Sequence, residues 1–116
     1  MTLLEFRDLL LTVTPNVFYL EAVKSDEYVV YQQTGILTLR GGNSIAERGI
    51  RVAVDFFTKN EKSEISELLM NALSEHENIF VDDYVTDYES DTKYLHHATR
   101  GTSHEMPPMP PYQPRQ

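Results

Sequence analysis

The 116-residue chain has no cysteine. Disulfides, thiolate metal sites and cysteine nucleophiles are therefore excluded, and the composition fits a reducing cytoplasm. Basic residues are scarce. Ten Lys and Arg stand against eighteen Asp and Glu, a formal net charge of −8. Nucleic-acid backbones are held by clustered Lys and Arg, so no sequence-specific nucleic-acid binding is expected. Long hydrophobic runs are missing too. The N-terminal apolar stretch has no basic leader and is broken by Glu5, Arg7 and Asp8. Neither a signal peptide nor a membrane partner is expected from it. The chain carries no P-loop, dinucleotide-type glycine run or nucleophile elbow, and no internal repeat. The Gly41-Gly42 pair alone is too weak a signal for phosphate binding.

The strongest pattern present is the stretch Gly49–Glu75. Ile50, Val52, Val54 and Phe56 share one side of a pleat; Arg51, Ala53, Asp55 and Phe57 share the other. That period of two marks a strand with one well-buried face. Helical spacing follows: Ile65, Leu68, Leu69, Ala72 and Leu73 make one apolar stripe, with Asn60 expected as the N-cap and Glu61 and Glu64 in the first turn. Upstream, Thr2 and Glu5 have capping-box spacing for a helix running to about Val13, and Pro15 ends it. Val17–Val23 and Glu27–Gln33 read as two strands. The short link at Ser25-Asp26 favours an antiparallel hairpin. Ile79–Tyr88 and Thr92–Arg100 read as a final pair joined by the turn Glu89-Ser90-Asp91.

The segment Thr34–Arg48 has two readings: a plain surface loop, or a long β-arm reversing at Gly41-Gly42-Asn43. Long structureless loops are uncommon in small domains, which favours the arm. Its apolar residues then need a partner, because an isolated two-stranded ribbon is marginal in water. The predicted order is α-β-β-β-α-β-β: an α+β domain over residues 1–100, with a mostly antiparallel sheet and two helices on one face. From Gly101 the composition shifts. Five of the six prolines lie between Pro107 and Pro114, so residues 101–116 are expected to form a disordered polyproline-type tail, with a docking strand or peptide ligand as the alternative.

Candidate chemistry is thin. His96 and His97 are adjacent strand residues and point to opposite faces, so they cannot easily share one ion. A site pairing one of them with Asp82 or Asp83 across the hairpin is conceivable, but zinc needs three or four convergent ligands. The carboxylates Asp82, Asp83, Asp87 and Glu89 could supply an acid–base pair, yet Asp83, Asp87 and Glu89 are expected on mixed faces of their strand. No catalytic, cofactor or metal residues are assigned, and an enzyme is not expected. From Glu75 to Asp91 there are seven acids and no Lys or Arg. This reads as a solvated acidic edge first, and otherwise as a metal site or a surface that repels a passing polyanion.

The run Arg51-Val-Ala-Val-Asp-Phe-Phe-Thr-Lys59, a helix ending near Leu73, and Asp87-Tyr-Glu-Ser-Asp-Thr-Lys-Tyr-Leu-His-His-Ala-Thr-Arg100 together resemble the small tail-terminator and tail-completion proteins of long-tailed bacteriophages and prophages. Asp55-Phe56-Phe57, Tyr88-Glu89-Ser90-Asp91, Tyr94, His96 and His97 carry the resemblance, which covers roughly residues 2–100. It implies a virion protein at the head-proximal end of the tail, assembled in the host cytoplasm. Such proteins form rings, commonly hexameric, that cap the tail tube protein and dock the head–tail connector protein. The resemblance further implies a subunit contact through the arm, for which Ile36, Leu37, Leu39, Arg40, Ile45 and Arg48 are the candidates. Asp82, Asp83, Asp87, Glu89 and Asp91 become candidates for an acidic lumen or docking surface. Alternatives are a head–tail connector or minor capsid component, or an acidic protein-binding or inhibitor module.

Overall fold

The computed structural model describes the backbone of residues 1–41 and 44–105, and the side chains of 1–38 and 49–104. Within them the chain forms α1 (Leu3–Leu11), β1 (Val17–Tyr19), β2 (Glu27–Gly41), β3 (Ser44–Thr58), α2 (Ile65–Glu75), β4 (Ile79–Glu89) and β5 (Tyr94–Glu105). This is the predicted α-β-β-β-α-β-β order. The five strands make one sheet in the order β1-β2-β3-β5-β4. Every pairing is antiparallel except that of β1 with β2.

Alternation along β3 decides the layers. Ile50, Val52, Val54 and Phe56 are at most 9 % exposed. They form one core with Val29 and Tyr31 of β2, Phe6 and Leu10 of α1, Leu69 and Leu73 of α2, and Ile79 of β4. Both helices therefore lie on one face of the sheet, where burying each large side chain is worth roughly 1.5–3 kcal/mol. The opposite face carries Arg51, Ala53, Asp55 and Phe57, and among the described residues no helix lies over it.

The helix termini differ in how they are held. At α1 the capping box is complete. Glu5 N donates to Thr2 Oγ1 at 3.1 Å and Thr2 N donates to Glu5 Oε1 at 3.1 Å. These contacts hold the exposed Glu5 carboxyl below its ordinary range. At α2 the predicted cap is wrong. Asn60 Oδ1 accepts from Lys62 N in a turn, and the helix starts four residues later than expected, with Glu64 at the cap position and no side-chain cap bond. Thr58 Oγ1 accepts from Asn60 N and so ties Asn60 to the strand end instead. Leu68 is a second departure: it is 48 % exposed, outside the buried stripe.

Around β1 the expected hairpin is also overturned. The strand covers only Val17–Tyr19 and runs parallel to β2, with Phe18 beside Val30. Leu20, at φ 57°, turns the chain aside, and the seven residues 20–26 carry it back to start β2 in the same direction. The arm, by contrast, is a real ladder. β2 and β3 pair from Glu27–Thr58 to Gly41–Ser44. The tip residues Gly42 and Asn43, on which the expected tight reversal falls, lie outside the described residues.

β5 runs to Glu105, five residues beyond the predicted strand end, because β3 offers it a partner as far as Arg48. Residues 101–105 are thus sheet rather than tail. Residues 106–116, where the polyproline-type reading falls, lie outside the described residues. Near its start β4 bulges between Val81 and Asp83. The neighbouring position on β5 is Gly101, where a Cβ would meet the Phe80 carbonyl oxygen at 2.8 Å. A side chain there would push β4 off the ladder.

Candidate functional site

The open face divides into an aromatic end and a polar cleft, with one carboxylate between them. At the end where β2 begins and β3 finishes, Phe57 lies between Tyr28 and His96. Its ring stacks on His96 at 4.3 Å and 15°, and on Tyr28 at 5.0 Å and 20°. Tyr94 meets both Tyr28 and Phe57 edge-on. The Tyr94 hydroxyl donates to the Ser25 carbonyl, which draws the 20–26 connection over this end of the face. Lys59 Nζ sits 5.0 Å from the Tyr94 ring centroid. Burial beneath this cover raises the Tyr28 hydroxyl pKa.

Asp55 is the central carboxylate, with its side chain only 13 % exposed. His96 Nε2 lies 2.8 Å from Asp55 Oδ1, and Arg100 Nη1 donates to the same oxygen at 3.3 Å. On the far side of the ring, Glu89 Oε2 is 4.0 Å from His96 Nδ1. The imidazole is thus bracketed by carboxylates on both nitrogens. That arrangement fixes the orientation of the ring and leaves neither nitrogen turned toward an incoming group. The predicted pairing of a histidine with Asp82 or Asp83 does not form. Asp83 faces Arg100 in the ladder, and Asp82 Oδ2 accepts from Thr102 Oγ1 at 3.3 Å.

Beyond Arg100 the face opens into a cleft of about 490 Å³ lined by Thr34, Leu37, Arg51, Asp82, Arg100 and Thr102. The β4 bulge shapes this wall. Asp83, Asp87 and Glu89 pair with Arg100, His96 and Tyr94, all on the open face. The extra residue Asp82 also turns there to reach Thr102. All four carboxylates therefore share one face, not the mixed faces expected of Asp83, Asp87 and Glu89: those three lie even numbers of residues apart, and the bulge, by adding one residue, brings them to the side of Asp82. Asp91 sits apart, exposed in the turn that follows.

His97 points the other way, as adjacent strand residues must. Its ring stacks near Phe56 and Tyr84, with Tyr84 Oη at 2.8 Å and Thr86 Oγ1 at 3.1 Å from Nδ1. Burial, then the neighbouring His96, holds its pKa below the ordinary value. The neutral ring with Nδ1 accepting from a hydroxyl is the form this setting favours.

Of the arm residues, Ile36 is 63 % exposed and Leu37 is half-buried in the cleft wall. Leu39, Arg40, Ile45 and Arg48 are placed only by backbone pairing, Leu39 with Glu47, Arg40 with Ile45 and Arg48 with Thr38. Their side chains lie outside the described residues. Sequence reasoning missed Asp55 as a hub. The signal was available: an acid within an apolar strand, level with a histidine strand, needs a partner once buried. Among the described residues no three or more His, Cys, Asp or Glu side chains are grouped to hold a metal ion. No helix among them is long and apolar enough to cross a membrane. The chain matches no protein-family model and no curated protein.

Proposed function

We propose that this chain is a structural virion protein: one subunit of a hexameric ring that caps the tail tube of a long-tailed phage and joins it to the head connector. The observation that carries the reading is the β2–β3 arm. Each of its strands is fifteen residues long. β1 covers β2 only at Val29–Tyr31, and the molecule measures 62 × 24 × 24 Å. β5 backs β3 as far as Arg48, so the two strands stand alone only at the tip beyond Thr38, and that tip, with Ile36 exposed near its base, needs a second surface to rest on. The motif residues supply further support. Asp55 and His96 bond on the open face, Tyr94 packs on Phe57 beside them, and Tyr88-Glu89-Ser90-Asp91 forms the corner leading into β5. They act there as a scaffold for a surface. Head-to-tail contacts between such surfaces close into a ring when the rotation closes. The carboxylates gathered on β4 suit a lumen wall past which DNA moves without sticking.

Deleting Ile36–Ile45 tests the reading. Light scattering should show the full chain as a ring, alone or on tail tubes. The deletion variant should stay monomeric and unfold at nearly the parent temperature. Equal loss of assembly and stability would make the arm part of the core. A monomeric full chain that ignores tail tubes would remove the ring altogether. A ring whose channel wall is basic would defeat the lumen assignment.

A further inference from the structure

The sheet has two long edges with no neighbour among the described residues. One is the whole of β4, Ile79–Glu89. The other is the outer side of β2 beyond Tyr31, where β1 stops. Unpaired strand edges are templates for pairing with another chain, and monomers shield them. Neither edge here is short, and among the described residues neither is covered. Phe80, Val85 and Tyr88 on β4 are each more than half exposed, Tyr84 is 39 % exposed, and Ile36 on β2 is 63 % exposed.

We infer that these two edges bind each other between copies, the β4 edge of one subunit adding in antiparallel fashion to the Gln32–Leu39 edge of the next. This rests on the ring reading above and names its contact. Direction permits it. β2 and β4 run oppositely within one sheet, since three antiparallel steps separate them. A neighbouring copy in the same orientation therefore brings its β2 antiparallel to β4. Charge selects it. β4 holds Asp82, Asp83, Asp87 and Glu89 and no base, whereas residues 32–41 hold Arg40 and no acid. Two β4 edges would set acid against acid; β4 against β2 does not.

Apolar matching sets the register. Tyr84 and Tyr88 lie on the helix-covered side, level with Thr99 and Leu95, and Ile36 lies on that side level with Ile50. Val85 and Leu37 lie on the open side, level with Ala98 and Gly49. Placing Leu37 opposite Val85 puts Ile36 opposite Thr86, between Tyr84 and Tyr88, and Thr38 opposite Tyr84. Every exposed apolar residue in the run then gains a cross-strand or diagonal neighbour. Because β1 blocks β2 below Gln32, each copy must also step along its neighbour. Thr86 is level with Val29 through His97 and Phe56, so pairing it with Ile36 is a step of seven residues. Closed sheets require such a stagger.

The absence of cysteine makes the test clean. The full-length Thr38→Cys/Tyr84→Cys variant is treated with a short bifunctional maleimide, which tolerates a slip of register. A ladder of covalent multimers on a denaturing gel is expected. Each single variant should stay monomeric, and their equal mixture should give dimers. Circular dichroism checks that these exposed substitutions leave the fold intact. Dimers from Tyr84→Cys alone would overturn the inference, since they mean β4 pairs with β4. A double variant that stays monomeric on the gel overturns it as well. If light scattering still shows a ring in that sample, only the contact is wrong. A ladder from particles that form open filaments upholds the contact and removes the ring.

Discussion

The two faces of one sheet solve different problems with neighbouring residues. On the helix-covered face, Val52, Val54 and Phe56 meet apolar side chains of both helices and are nearly dry. One position away on the same strand, Asp55 and Phe57 meet His96, Arg100 and the rings of Tyr28 and Tyr94. The covered face gains from any apolar group of suitable shape, because dispersion and burial have no direction. The open face depends on particular partners, because a half-buried carboxylate must be matched in geometry as well as in charge. Stability is thus concentrated on one side and specificity on the other. Pleat alternation keeps the two demands apart.

Substitutions at the covered face should separate the two most. Leu69→Ala empties a site only 4 % exposed and should cost about 2–5 kcal/mol by urea unfolding. A loss below about 1 kcal/mol would mean α2 is not seated on the sheet. Gly101→Val comes next, at about 1–3 kcal/mol, because its side chain meets the Phe80 carbonyl. It should also shift the amide signals of β4 more than those of α1. An effect spread evenly over the domain would argue against a local clash.

On the open face, Asp55→Asn keeps the shape and removes the charge. A loss of about 1–2 kcal/mol is expected, with faster loss of order in the His96 and Arg100 side chains by NMR. If stability is unchanged and both side chains stay fixed, the aromatic stack alone holds that face. The smallest effect is one of pH. His97 has a lowered pKa in the folded chain, so the unfolded chain binds its proton first. Stability is then complete above the ordinary histidine value of 6.5 and falls as pH drops through it toward the folded value. His97→Gln should flatten that part of the pH–stability curve. A His96→Gln variant that flattens it instead would assign the titration to the wrong ring.

Much of this was legible in advance. Ile50, Val52, Val54 and Phe56 declare a buried face by period alone, and Thr2 with Glu5 declare a cap by spacing. The arm followed from the cost of leaving fifteen residues without hydrogen-bonded structure. What failed did so for local reasons. Asn60 carries the right chemistry for a cap, but Thr58 holds its backbone at the strand end, and the helix waits for Ile65. The short link between β1 and β2 suggests a hairpin, but a left-handed Leu20 redirects the chain. Alternation misplaces the β4 carboxylates because a single inserted residue changes parity, and no residue type signals a bulge reliably. The site suffered most, since Asp55, Glu89, His96 and Arg100 lie on three strands.

Sequence by itself fixed the element order, the two-sided character of β3 and the acid-rich last hairpin, because each depends on residues within one or two turns of one another. Tertiary structure decided which strands lie side by side, and with that the Asp55 hub, the gathering of β4 carboxylates on the open face and the two unpaired edges. The reason is range: hydrophobic period acts over a few residues, whereas the level at which one strand meets another is set by the whole sheet at once.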